Sequence, residues 1–78
     1  SIYPNPASIA FTIEGTGTAE KVHYSLYNIL GLELKAGEIE TNGGFFTEKI
    51  QVSNFSNGMY FIKLNDKNYT WTKKLNLE

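Results

Sequence analysis

The sequence predicts an all-β domain: a single antiparallel β-sandwich of six to seven short strands with Greek-key connections, Ig-like in outline. Residues that favour strands are abundant, since Val, Ile, Thr, Phe, Tyr and Trp make up 27 of the 78 residues. Apolar and polar residues alternate along several segments, and Gly and Asn stand between those segments, where turns are expected. No segment keeps the 3.6-residue period of an amphipathic helix.

Six segments with a period of two residues predict the strands. They are residues 9–14, 21–27, 32–39, 46–52, 59–65 and 69–76. The alternation in the first of them places Ile9, Phe11 and Ile13 on one buried face. Across all six strands, the residues expected to be buried are Phe11, Val22, Leu26, Ile50, Tyr60, Ile62 and Leu64.

The segments between the strands carry the residues that turns prefer. We expect turns at residues 15–17, 28–31, 41–44 and 66–68, and a loop at residues 53–58 whose Phe55 plugs one end of the core. Gly31 and Gly58 stand at the ends of two of these segments. A positive φ costs little there only without a Cβ, so at least one of the two glycines is expected to have one.

The length and charge of the chain exclude several classes of protein. With 78 residues there is room for one domain only. Seven basic residues against eight acidic ones give a formal charge of −1, which excludes nucleic-acid binding by bulk electrostatics and a polybasic membrane patch. No apolar run is long enough to span a bilayer. The absence of cysteine excludes disulfides, thiolate zinc sites and cysteine nucleophiles.

The residues that could support catalysis are few and scattered, so we expect neither an enzyme nor a metal or cofactor site. The single histidine, His23, lies in the middle of a predicted strand and is expected to be structural. Glu38 and Glu40 could suggest a glycosidase pair, but a solvated edge strand explains them better. Asp66 is the only aspartate, so an Asp-rich calcium loop is not possible.

The aromatic content leaves one alternative function open. Phe, Tyr and Trp make up 14% of the chain. Aromatic rings on an exposed sheet face could stack on sugars, as in a carbohydrate-binding or adhesive β-sandwich of a secreted enzyme. Most of the aromatic positions alternate in step with the aliphatic core, which favours packing instead. Tyr69 and Trp71, on the last strand, are the expected exceptions.

Four segments of the chain, taken in order, resemble the motifs of one protein family. Residues 3–8 (Tyr-Pro-Asn-Pro-Ala-Ser) resemble its opening motif, in which an aromatic or apolar residue precedes Pro-Asn-Pro. Residues 22–31 resemble the central strand of the family, an alternating apolar segment that ends in Asp or Asn and is followed by any two residues and then Gly. Residues 52–64 resemble a loop followed by a Gly-x-Tyr strand, and residues 73–75 a basic-apolar terminus. The family is that of the type IX secretion system C-terminal sorting domains of Bacteroidota.

The resemblance covers residues 1–78 and singles out ten motif or recognition positions: Pro4, Asn5, Pro6, Asn28, Gly31, Gly58, Tyr60, Lys73, Lys74 and Leu75. Asn28 departs mildly from the family pattern, which often has Asp at that place. Leu77 and Glu78 resemble a vector-derived remnant before a purification tag. The terminal strand is expected to be the recognition element, because an edge strand offers its backbone to a partner and Lys73 and Lys74 add charge beside it.

The resemblance implies a function that the residues alone would not show. Such a domain is the last module of a larger secreted protein and directs that cargo through the outer-membrane type IX translocon. A sortase-like C-terminal signal peptidase then usually removes it, and the cargo is released or joined to a lipopolysaccharide. The implied partners are the translocon components, the peptidase and the N-terminal cargo domain of the same chain. The implied location is the periplasm in transit and then the medium or the cell surface, and we expect a monomer.

Overall fold

Seven β-strands in two antiparallel sheets make up the architecture of the chain in a computed structural model, which describes residues 1–4, 9–17, 20–67 and 69–78. In chain order, the strands are β1 (Ile2–Tyr3), β2 (Ala10–Thr16), β3 (Lys21–Asn28), β4 (Glu33–Glu40), β5 (Phe45–Gln51), β6 (Gly58–Asn65) and β7 (Thr70–Leu77). One sheet has the order β1-β2-β5 and the other the order β4-β3-β6-β7. The predicted all-β sandwich is confirmed.

The path of the chain ties the two sheets together. Only the β1–β2, β3–β4 and β6–β7 connections join neighbours within one sheet. The β2–β3, β4–β5 and β5–β6 connections cross from one sheet to the other, so each sheet contains strands that are distant in sequence. The pairs β2–β5 and β3–β6 are therefore long-range contacts, which are slow to form during folding.

Period-two alternation decides which side chains reach the core. Along β6, Tyr60, Ile62 and Leu64 are buried, whereas Phe61 and Lys63 between them are half-buried. The core contains fifteen described residues from both sheets: Ile2, Phe11, Ile13, Val22, Tyr24, Leu26, Ile39, Phe46, Ile50, Val52, Tyr60, Ile62, Leu64, Leu75 and Leu77. The seven residues predicted to be buried are all among them. Phe55 packs partly buried against this cluster, as its predicted place at the end of the core requires.

Two expectations about the first long strand are wrong. Ile9 lies just before β2 and is 65% exposed, although its alternation with Phe11 and Ile13 suggested burial. The segment 15–17 is not simply a turn, because Gly15 and Thr16 continue the pairing of β2 with Phe46 and Phe45 of β5. Period two identified the face of this strand but not its two ends.

Two glycines within strands make room for aromatic rings. A Cβ added to Gly15 would lie 3.0 Å from the Phe46 ring, and one added to Gly37 would lie 2.7 Å from the Tyr24 ring. Gly37 is the direct cross-strand partner of Tyr24 in β4. A glycine opposite an aromatic residue lets the ring cover the bare backbone, which is a packing arrangement and not a turn signal.

The turns at residues 28–31 and 41–44 form as predicted. Gly31 has a φ of 84° and Gly58 a φ of 146°, so both glycines adopt the positive φ expected of at least one of them. In the turn at 41–44, Asn42 pairs with Phe45 through hydrogen bonds in both directions. Asn68, which was expected in the turn at 66–68, lies outside the described residues.

Replacement of Ile62 by Ala is expected to destabilise the domain by about 2–5 kcal/mol, because it leaves a cavity in a fully buried site of the central strand β6. Chemical denaturation followed by far-UV circular dichroism measures the change. Met59→Ala, on the exposed side of the same strand, is the matched control and should have a much smaller effect. An Ile62→Ala protein as stable as the parent would contradict the packing described here.

Candidate recognition surface

The terminal strand β7 is an edge of the four-stranded sheet, as predicted for the recognition element. It pairs with β6 along its whole length, from Gly58 opposite Leu77 to Asn65 opposite Thr70. Lys73 and Lys74 are both exposed, whereas Leu75 is fully buried. The three residues that were expected to act together therefore divide into two exposed cations and one core side chain.

Three motif residues from distant segments meet in one row across the sheet. Asn28 of β3 is the cross-strand partner of Tyr60 in β6, and Tyr60 is in turn the partner of Leu75 in β7. Tyr60 is 7% exposed, and its hydroxyl donates a hydrogen bond of 2.6 Å to the carbonyl oxygen of Ser56. Its ring also lies 6.2 Å from that of Phe55, measured between centroids. Tyr60 thus anchors the 52–57 loop to the core.

Asn28 organises the turn that follows it through four hydrogen bonds. Its side-chain oxygen accepts from the backbone N–H groups of Leu30 at 2.9 Å and Leu32 at 3.0 Å. Its carbonyl oxygen accepts from Gly31 N–H, and its own N–H donates to the carbonyl oxygen of Leu32, each at 3.0 Å. This is a three-residue hairpin loop with Gly31 at the positive-φ position. An aspartate carboxylate would accept the same two side-chain bonds, which explains physically why Asn can stand where the family pattern often has Asp.

The remaining motif positions belong to the backbone of the sandwich or lie outside the described residues. Gly58 starts β6 opposite Leu77, so its positive φ sets the angle at which the 52–57 loop enters the strand. Pro4 is exposed and follows a cis peptide bond from Tyr3. Asn5 and Pro6 are not among the described residues.

The turn at 28–32 and the loop at 52–57 lie at the same end of the sandwich as Leu77, which we call the carboxyl end. This follows from the antiparallel pairing, in which the end of β3 and the end of β7 both flank the start of β6. Ser1 lies toward the opposite end, where its amino group donates to the carbonyl oxygen of Glu14 at 2.8 Å. Most of the described motif residues therefore gather at the end of the molecule away from Ser1.

Sequence reasoning missed the exposed aliphatic side chains at the carboxyl end. Ile29, Leu30 and Leu32 are 67%, 87% and 62% exposed. Asn28 and Gly31 alone specify the turn, and that pattern does not depend on the residues between them. A usable signal was present, because the central positions of turns are usually polar and here they are both aliphatic.

An open cleft of about 170 Å³ at the other end contains the two aromatic residues that were expected to be exposed. Tyr69 is 47% exposed, and its hydroxyl donates to the carbonyl oxygen of Thr16 at 2.8 Å. Trp71 is only half-buried and packs against the core. The prediction of exposure therefore holds for Tyr69 and only partly for Trp71, so the Trp71 ring is less accessible to a sugar than the sequence predicts.

The titratable groups show no catalytic arrangement among the described residues. His23 points to solvent, with its Nε2 3.4 Å from Glu38 Oε2, and Lys21 Nζ lies 3.8 Å from Glu38 Oε1. The hydrogen bond from Tyr3 to the Glu14 carboxylate raises the pKa of that tyrosine, and burial raises the pKa of Tyr24. Within the described ranges, no three His, Cys, Asp or Glu side chains form a group that could hold a metal ion.

The part of the chain that the structure describes contains no helix able to cross a membrane.

Comparison with known proteins gives one match. The family model described as "Secretion system C-terminal sorting domain" matches residues 1–78. No curated protein and no solved structure matches the chain.

Replacement of Asn28 by Ala is expected to destabilise the domain by about 1–3 kcal/mol, because two backbone N–H groups of the turn lose their acceptor. Thermal unfolding monitored by circular dichroism measures this. Asn28→Asp retains an acceptor oxygen and is the matched control, which should unfold close to the parent. Equal stability of the Ala and Asp variants would show that the side-chain bonds are not important for the turn.

Soluble polysaccharides are expected to leave the fluorescence of the domain unchanged, because the single tryptophan, Trp71, is partly buried and packs against the core on one side. The measurement is a titration of the isolated domain with a panel of neutral and acidic polysaccharides. A Trp71→Phe variant gives the background signal. A saturable change at micromolar ligand would favour the carbohydrate-binding alternative.

Proposed function

Because the chain belongs to the family of type IX secretion system C-terminal sorting domains, we propose that it routes a larger cargo protein through the outer-membrane translocon. The family itself makes the chain a sorting signal for secretion and not a member of an enzyme family. The proposal adds the route: passage of the folded domain through the periplasm, recognition at the outer membrane, and delivery of the cargo to the medium or the cell surface.

The observation that carries this proposal is the match of the family model to all 78 residues. The geometry supports it, because residues from separate motifs are cross-strand neighbours within one small sandwich. Asn28, Tyr60 and Leu75 form one row, and Gly58 pairs with Leu77 at the same end. A signal of this kind is read in the folded state, since the residues of the motifs come together only after folding.

We propose that β7 is one of the surfaces through which the translocon recognises the domain. It has a neighbouring strand on one side only among the described strands, so a partner could add a strand on its other side. Lys73 is two residues before Leu75 and four before Leu77, so it lies on the same, core-facing side of β7, but it is exposed. An inward charge on an edge strand discourages pairing with arbitrary strands. A partner that presents a carboxylate would remove this barrier, so Lys73 and Lys74 together favour an acidic partner strand.

We further propose that the domain is the substrate of the sortase-like peptidase and is removed once the cargo has crossed. The cargo would be attached before Ser1, which lies away from the carboxyl end. In that arrangement, the cargo is attached beside the start of β7, where Ser1 and Trp71 line the same cleft, whereas the end of β7 lies at the opposite end of the sandwich. The domain could then be held by the translocon while the peptidase acts on the connection to the cargo.

A fusion of a periplasmic signal, a fluorescent protein and residues 1–78 is expected to appear outside the cell or on its surface in a type IX-competent bacterium. The complete chain is used because Leu77 is only 3% exposed and belongs to the core. Cell fractionation and surface fluorescence give the readout. A translocon-deficient strain is the control. Retention of the folded, intact fusion in the periplasm of the competent strain would refute the sorting function.

The contribution of the terminal strand is tested with the double variant Lys73→Gln/Lys74→Gln in the same fusion. This change is preferable to removal of residues 73–76, which would also delete the buried Leu75 and damage the core. Export should fall while thermal stability stays near that of the parent, because both lysines are exposed. Lys49→Gln/Lys67→Gln changes two other exposed lysines and is the matched control. Undiminished export of the Lys73/Lys74 variant would show that these charges are not recognised.

A further inference from the structure

The hairpin between β3 and β4 ends in an aliphatic tip, formed by Ile29, Leu30 and Leu32. Leu30, at 87%, is the most exposed large hydrophobic residue in the described part of the chain. Met59, another exposed apolar side chain, lies at the same end of the sandwich: it is 42% exposed and immediately precedes Tyr60, the cross-strand partner of Asn28. None of these four side chains belongs to the buried core.

The tip is held in one conformation by polar groups and not by its own side chains. The Asn28 side chain binds the N–H groups of Leu30 and Leu32, and backbone bonds between Asn28, Gly31 and Leu32 close the loop. A rigid loop loses little conformational entropy when a partner buries its side chains. The structure therefore combines two features of an interface anchor, namely exposed aliphatic groups and a fixed backbone beneath them.

We propose that the aliphatic tip docks into an apolar pocket on a protein component of the secretion machinery. This inference rests on the proposed function and adds to it a second recognition surface, distinct from the β7 edge. Both surfaces include the carboxyl end of the sandwich, so a single partner could contact them together. The tip would supply affinity through burial, whereas the charged edge would supply selectivity.

The charges around the tip favour a protein pocket over a lipid surface. Residues 28–34 contain no Lys or Arg, and Glu33, at the start of β4, is exposed. An anionic bilayer would repel this carboxylate, and interfacial anchors usually carry basic residues beside their apolar ones. A protein pocket with a basic residue at its rim satisfies both the aliphatic groups and Glu33. The partner of the tip is therefore a protein pocket of this kind.

The test is the double variant Ile29→Thr/Leu30→Asn in the fluorescent fusion described above. Polar residues suit the centre of such a turn, and the Asn28 bonds to backbone groups remain, so the melting temperature should not fall. Export is expected to drop at least about tenfold, the loss typical of a truncated interface anchor. Phe45→Thr changes another exposed large apolar side chain, 48% exposed and at the opposite end of the sandwich, and should leave export unchanged.

The outcomes separate this inference from the function on which it rests. If the parent fusion is exported and the tip variant is exported equally well, the docking proposal is wrong and the sorting function stands. If the parent fusion is folded but retained, both fail. A loss of export by Phe45→Thr equal to that of the tip variant would also overturn the proposal, because the effect would not depend on the tip.

Two measurements on the isolated domain test whether a membrane or a second copy of the chain binds the tip instead. Sedimentation with vesicles of phosphatidylglycerol and phosphatidylethanolamine should recover no domain in the pellet. Light scattering during size exclusion should give the monomer mass at every concentration tested. Vesicle binding, or a dimer, that is abolished by Ile29→Thr/Leu30→Asn would overturn the protein pocket in favour of a membrane or a second copy of the chain.

Discussion

The position of β6 between β3 and β7 is the constraint on which the rest of the molecule depends. Its core-facing residues Tyr60, Ile62 and Leu64 reach the centre of the sandwich only in one register, because a shift by one residue would turn them to solvent. That register also fixes the partner of Asn28 in β3 and of Leu75 in β7. The turn, the 52–57 loop and the terminal strand are thus located by the pairing of a single strand.

The motif residues of the chain serve mainly to build the surface that other residues present. Asn28 and Gly31 shape a turn, Gly58 and Tyr60 fix a loop, and Leu75 closes the core beside them. The exposed residues between and beside these positions are the ones available to a partner. A recognition motif defined by its most characteristic residues can therefore identify the scaffold of a binding surface better than the contacts themselves.

The sequence predicted most of the fold because alternation and turn chemistry are local properties. The buried faces of β3 and β6 and the turns after Asn28 and Thr41 could all be inferred from neighbouring residues. The position of Gly15 could not, since its reason for being glycine is the Phe46 ring, which lies 31 residues further along the chain. Similarly, Ile9 continues the two-residue period of Phe11 and Ile13, but it lies just before β2 and is exposed.

The candidate surface was predictable only in part, for a similar reason. The exposure of Lys73 and Lys74 follows from their charge, whereas the edge position of β7 depends on the strand order. That Asn28, Tyr60 and Leu75 form one row is a consequence of strand order, which no local pattern contains. The aliphatic tip does not follow from the turn pattern, because Asn28 and Gly31 specify the turn whatever lies between them.

The hydrogen bonds of Asn28 have a consequence for how such a domain can change over time. They join an amide side chain to backbone groups, so the shape of the hairpin is independent of the side chains at positions 29, 30 and 32. Substitutions that keep the backbone N–H groups, which excludes proline at positions 30 and 32, leave these bonds in place. The same scaffold can thereby acquire a different specificity by drift at its outermost residues, and a protein engineer could graft new binding sequences there while keeping the sandwich intact.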